Sequence, residues 1–139
     1  MRQIFFKMLQ VSMVFLFSAS LLEAAPIPTT LPDLLKFYQV DSAQSFDAER
    51  GKEFWLRKTM GDDGAPRQCT SCHGDDLAKI GKHNKSGKKI EPMSPTVNKE
   101  RYSDREKVEK WFKRNCKWTI GRECTSQEKG DVLKYLSLH

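Results

Sequence analysis

The run Cys69-Thr70-Ser71-Cys72-His73 constrains this chain more than any other feature. Two cysteines spaced in this way can each add across one vinyl group of a haem, and a histidine directly behind the second is then held beneath the iron as an axial ligand. A chain attached like this must fold around a flat apolar plate. A thioredoxin-like dithiol also uses C-x-x-C, but it needs a βαβ setting, and no alternating β-rich run precedes Cys69. A structural zinc site needs four ligands, and Cys116 and Cys124 do not form a second C-x-x-C. The pentapeptide therefore predicts one covalent haem c, with thioethers at Cys69 and Cys72 and His73 as proximal ligand.

The start of the chain agrees with export. Arg2 and Lys7 precede an apolar stretch from Met8 to Leu22, and the small residues Ala24 and Ala25 follow. Gln10, Ser12, Ser18 and Ser20 interrupt the stretch too often for a comfortable membrane span. A signal peptide over 1–25, cleaved between Ser20 and Ala25, is expected; the alternative is a retained anchor. Residues 26–139 then form one cytochrome domain that is soluble and periplasmic. Formal net charge is +6, and removing Arg2, Lys7 and Glu23 leaves +5. Such charge would also suit nucleic acid, but an exported haem protein meets none. An acidic redox partner or anionic surface fits better.

The pattern is helical throughout. Leu31–Tyr38 is a short helix after Pro26, Pro28 and Pro32. A second helix spans about Phe46 to Lys58, with Asp47 as N-cap and Phe54 and Trp55 as its apolar residues. Gly51 costs that helix about 1 kcal/mol against alanine, which predicts a close crossing by another helix, with Gly130 as the counterpart. The lysine- and glycine-rich stretch from Lys79 to Lys89 is expected as a surface loop, and Ile90–Pro95 as an extended segment. A third helix should begin at Ser103, boxed with Glu106, and end near Asn115; a last one should begin at Thr125, boxed with Glu128. The fold class is all-α, on the class I cytochrome c plan of four to five helices around one haem.

Three residues compete for the iron's sixth position. Val108, Trp111 and Phe112 form a core-facing stripe, and Asn115 continues it at i+7. An amide pointed inward without a partner costs roughly 1–3 kcal/mol, so Asn115 either meets the iron or caps the end of the helix. Met93, flanked by Pro92 and Pro95, is the conventional thioether ligand or else a flexible packing residue. His83 would give a bis-histidine site.

Gly51-Lys52 ahead of Phe54, the Cys69–Gly74 run, GKKIEPMSP over 87–95 and VEKWFKRNCKWTIGREC over 108–124 resemble the sphaeroides haem protein family. The likeness covers nearly all of the chain beyond the leader, and its R-N-C…G-R-x-C-T pattern is highly specific. It implies an exported monohaem cytochrome c that binds oxygen or nitric oxide, with His73 proximal and Asn115 distal to the iron. It also implies a Cys116–Cys124 disulfide, the state expected of a cysteine pair in an oxidising compartment. The implied electron donor is a dihaem cytochrome c, accompanied by a membrane b-type cytochrome.

These readings diverge in function. A neutral amide is a weak, hard ligand that should release ferrous iron, giving a gas-binding site gated by reduction. A His73/Met93 pair would make a plain electron carrier. A haem enzyme, such as a peroxidase or nitric oxide dioxygenase, needs a distal acid or base. His83 and His139 are poorly placed for that, which leaves Arg105 and Arg114 as candidates. The resemblance favours electron transfer or gas binding over a dedicated enzyme.

Overall fold

The computed structural model describes residues 29–61 and 63–139, so the expected leader and its cleavage bond lie outside the described residues. Five helices follow one another: α1 Leu31–Gln39, α2 Ala48–Leu56, α3 Thr70–His73, α4 Arg105–Ile120 and α5 Ser126–Leu136. Two small antiparallel ladders join them. Strands β1 (Thr59–Met60) and β2 (Pro66–Arg67) pair just before α3, and β3 (Gly81–Lys82) and β4 (Lys89–Ile90) pair after it. The expected lysine-rich loop is thus a hairpin with ordered ends. Two-residue strands leave no alternation to read, which is why the sequence conceals them.

Helix starts follow local chemistry. Thr30 and Thr125 each form a capping box, with Asp33 and Glu128, and Asp47 accepts from the backbone N–H of Arg50. At α4 the cap is Asp104, which accepts from the Lys107 N–H, while the expected cap, Ser103, donates its hydroxyl to the Glu100 carbonyl. Either residue satisfies the sequence pattern, and the short 3-10 turn Lys99–Tyr102 decides between them by taking up Ser103. This α4 helix also runs past Asn115 to Ile120 and ends on Gly121 in the left-handed conformation (φ 74°). Asn115 is therefore inside the helix and is not its cap.

The core lies where α1 and α2 pack on α5, through Leu34, Tyr38, Phe54, Trp55, Val132, Leu133 and Leu136. At the α2–α5 crossing a Cβ on Gly51 would lie 2.0 Å from the Asp131 carbonyl oxygen, so the backbones touch. Arg50 reinforces the contact, donating from Nε and Nη2 to the Asp131 carboxylate, each at 2.9 Å. Gly130 has a different neighbour from the one expected: it faces the ring of Phe46. Gly51→Ala should destabilise the protein by about 1–3 kcal/mol or more through overpacking. Denaturant unfolding measures this, and a change below a few tenths of a kcal/mol would mean that the crossing is not tight.

A candidate haem site between the C-x-x-C-H helix and the fourth helix

Cys69 caps α3, which carries Thr70 to His73 in one turn and stops at Gly74 (φ 72°). The turn is held from both flanks. On one side Gly81 of β3 presses so closely that a Cβ there would lie 2.3 Å from the Cys72 carbonyl oxygen. On the other, the β1–β2 ladder fastens to the C-terminal end of α4. Arg67 is 7% exposed, stacks on Trp118 at 4.7 Å, donates to the Trp118 carbonyl at 2.8 Å and pairs with Asp63 at 2.8 Å. Beside it Thr59 donates its hydroxyl to the Thr119 carbonyl. Arg67 thus supplies both the hydrogen-bond donor and the positive charge that a helix C-terminus favours. Sequence reasoning missed Gly81 and Arg67, because nothing local says that a residue eight beyond His73 touches it, or that Arg67 reaches a helix fifty residues on.

The three residues of the motif have the character that haem attachment asks for. Cys69 and Cys72 are not joined to each other, although Cys116 and Cys124 in the same chain are, with Cα atoms 5.6 Å apart. Burial pushes the Cys69 thiol up to about 12, the reverse of the lowered pKa by which a redox dithiol works. Burial, helped by the charge of Arg101, holds His73 down to about 4, so the imidazole is neutral at physiological pH, the form that binds a metal. Its Nδ1 is buried with no hydrogen-bond partner among the described residues. An imidazole nitrogen left without a protein partner is available to a metal. The Trp55 ring packs against that of His73, centroids 5.3 Å apart.

The competitors for the sixth position lie on different elements. Met93 is tied to the segment that follows α3: its N–H donates to the carbonyl of Leu77, four residues beyond His73, at 3.0 Å. Its carbonyl accepts from the Tyr102 hydroxyl at 2.6 Å, and its sulfur accepts from Arg101 Nη2 at 2.9 Å. His83 is exposed in the β3–β4 hairpin, where its Nδ1 accepts from the Ser86 N–H at 3.2 Å. The His139 ring meets Tyr135 edge to face, Arg105 lies over Phe37 and Arg114 over Trp111.

Asn115 is exposed, contrary to the inward burial expected of it. The buried line of α4 runs through Val108, Cys116 and Thr119, with Phe112 half-buried beside it. At 100° per residue Asn115 stands only about 20° from Val108 on the helix wheel, yet Val108 is buried. The difference comes from height along the helix. Tyr38 covers the N-terminal half, bonding Glu109 and edging against Phe112, and Arg67 and Thr59 cover the C-terminal end. Between them Asn115 and Trp111, the latter 43% exposed, form a flank that, among the described residues, stays open to solvent. A large flat group could lie against it.

Comparison with known proteins identifies the family. The family model described as a domain of unknown function (DUF1924) matches residues 41–136. Cytochrome c-type protein SHP of Cereibacter sphaeroides is 38% identical over 109 residues, 78% of this chain and 84% of that protein. The structure of oxidised SHP, described as an oxygen binding cytochrome c, superposes with a TM-score of 0.74, covering 81% of this chain and 99% of that one. Oxidised cytochrome c'' from Methylophilus methylotrophus superposes with a TM-score of 0.69 at 33% identity, covering 77% and 92%. The chain belongs to the SHP family of c-type cytochromes. The cytochrome is all-α and carries one covalently bound haem c, as the motif predicted. Among the described residues no helix is long and apolar enough to cross a membrane.

The cytochrome's attachment segment is tied to α4 chiefly through Arg67. Arg67→Ala should destabilise the haem-loaded protein by about 1–3 kcal/mol, the worth of hydrogen bonds to a charged group. Thermal unfolding followed at the Soret band measures it, and an unchanged midpoint would mean that the hairpin and α4 are not coupled.

Proposed function

We propose that the cytochrome is an exported gas-binding protein in which His73 holds the iron permanently and Asn115 holds it only in the oxidised state. Cys69 and Cys72 hold the haem through thioethers. When bound there, haem c would supply a redox-active iron able to exchange a weakly held ligand. The remaining work falls to side chains of this chain. Neutral, half-buried His73 stays in place against Trp55, while Asn115 would offer the iron a weak and readily displaced amide donor. Cys116, disulfide-bonded to Cys124, is the residue next to Asn115, so the bridge limits how far the amide can withdraw.

The observation that carries this reading is the pairing of an exposed Asn115 inside α4 with a Met93 sulfur already engaged by Arg101. It favours the amide over the thioether as the ligand opposite His73, and so a gated site over a plain electron carrier. Two relatives support the chemistry: SHP is an oxygen binding cytochrome c, and a solution structure of cytochrome c'' addresses haem-ligand detachment in that protein. Export rests on the Arg2–Ala25 leader and the oxidised cysteine pair.

Asn115→Ala should open the oxidised iron, raising the affinity for an added anion such as azide by at least about tenfold, since the competing amide no longer occupies the site. Met93→Leu should leave the absorption spectrum as it is. Stopped-flow mixing of the reduced protein with carbon monoxide completes the test. Fast binding in the parent supports the gate, and refusal to bind, or loss of a thioether band in Met93→Leu, would refute it.

Electrons are supplied, in this reading, by a dihaem cytochrome c accompanied by a membrane b-type cytochrome, and they enter beside α3. Lys79, Lys82, Lys85, Lys88 and Lys89 are exposed around the β3–β4 hairpin, whose Gly81 touches the Cys72 carbonyl. The basic face is thus anchored directly on the haem-attachment turn. Reduction by such a donor should slow as salt rises through the physiological range, because the Debye length shrinks to about 8 Å at 0.15 M. A rate independent of ionic strength would remove this surface as the docking site.

A further inference from the structure

One lysine of this cytochrome is set apart from the rest. The side chain of Lys129, near the start of α5, is 14% exposed, whereas every other lysine in an ion pair among the described residues is at least 50% exposed. An ammonium normally keeps its water, so such withdrawal needs partners. Two are present. Nζ donates to both carboxylate oxygens of Glu109 on α4, at 3.1 and 3.3 Å, and lies 5.2 Å from the ring centre of Tyr38 on α1. Tyr38, itself 2% exposed, donates its hydroxyl to the same carboxylate. Three helices thus meet at Glu109.

The consequence lies in what α4 carries. Its link to α5 through Glu109 is matched by a second, the Cys116–Cys124 disulfide. Glu109 and Cys116 are seven residues apart, so they stand on one side of α4, about 20° apart around its axis and about 10 Å apart along it. A helix tied at one point rolls freely about its axis, while two ties on one side resist the roll. Asn115 falls between the two ties in height and about 100° around the axis from Cys116. Any roll of α4 therefore swings the amide toward or away from whatever lies against that open flank. We propose that Glu109, gripped by Tyr38 and Lys129, is a positioning residue that fixes the roll of α4 and so sets how firmly Asn115 occupies the oxidised iron. This role rests on Asn115 as the distal ligand. The disulfide holds the helix at the amide's own level, and Glu109 holds it two turns earlier.

The test measures the azide affinity of the oxidised, haem-loaded protein, with Asn115 present and in an Asn115→Ala background. Glu109→Gln keeps the side chain's size and an acceptor for Tyr38 but weakens the hold on Lys129, and Lys129→Met removes that hold from the other side. Tyr38→Phe loosens Glu109 without changing any charge. With Asn115 present, Glu109→Gln and Lys129→Met should each tighten azide by about threefold or more, because a looser helix leaves the amide on the iron for a smaller share of the time. Tyr38→Phe should shift the affinity in the same direction. In the Asn115→Ala background the tightening should vanish from all three. Opposite changes in Glu109→Gln and Lys129→Met would mean that charge alone acts on the anion, and would overturn the proposal. Unchanged affinity with Asn115 present overturns it too, as does equal tightening without Asn115. If the charge variants do not mature, Tyr38→Phe decides by the same criteria. A parent-like affinity in Asn115→Ala alone marks failure of the ligand assignment, and the role of Glu109 falls with it. An affinity that responds to Asn115→Ala but ignores the other three substitutions removes only the role of Glu109.

Discussion

A contact between two backbones orders this molecule. Gly51 of α2 lies under the Asp131 carbonyl of α5, and no larger residue fits there. From that crossing the geometry propagates outward by one helical turn. Trp55, four residues on from Gly51, is brought against His73, with Tyr135 of α5 behind it. The proximal imidazole is thus supported by a ring whose position depends on how closely two helices approach. Arg50, reaching Asp131 with two donors, guards the crossing against slippage. A substitution twenty residues from the haem motif can therefore be felt at the iron.

The haem-attachment turn itself is too short to stand alone. Four residues of helix cannot hold a rigid position, because helix formation is cooperative and its first turn is unfavourable. Its flanks supply the rigidity. The β3–β4 hairpin packs a glycine on the Cys72 carbonyl, and the β1–β2 ladder is locked to α4 by Arg67 and Thr59. Both devices are small and of opposite kind, one steric and one polar. Together they connect the segment bearing the haem thioethers to the helix that carries Asn115, so the proposed distal ligand and the attachment point belong to one braced unit.

Charge is organised on the same frame. Arg67, the buried arginine of the β1–β2 ladder, is matched to Asp63, while the lysines of the β3–β4 hairpin stay outside. This division follows from side-chain chemistry: a guanidinium is less strongly hydrated and can be withdrawn when its planar fork is satisfied, whereas an ammonium keeps its water. The exposed lysines of the hairpin and buried Arg67 therefore serve different ends: in our proposal the lysines attract a partner at long range, while Arg67 fixes local structure.

Much of this was legible from the chain alone. Haem attachment is covalent chemistry within five residues, so Cys69, Cys72 and His73 announce it without a fold. The caps at Asp47 and Thr125 are equally local, since each helix start is settled by side chains within one turn. Gly51 as a crossing point was legible as well, because a costly residue inside a helix needs a reason. What tertiary structure alone decided are relations between distant segments. Gly130 answers to Phe46, Asp104 takes the cap from Ser103, and Asn115 lies uncovered on α4 although periodicity pointed it inward. Arg67 and Arg101 acquire their roles only from what packs beside them. Periodicity specifies an angle around a helix axis, but burial also depends on what neighbouring chain covers each height of that helix, and one-dimensional order does not contain it.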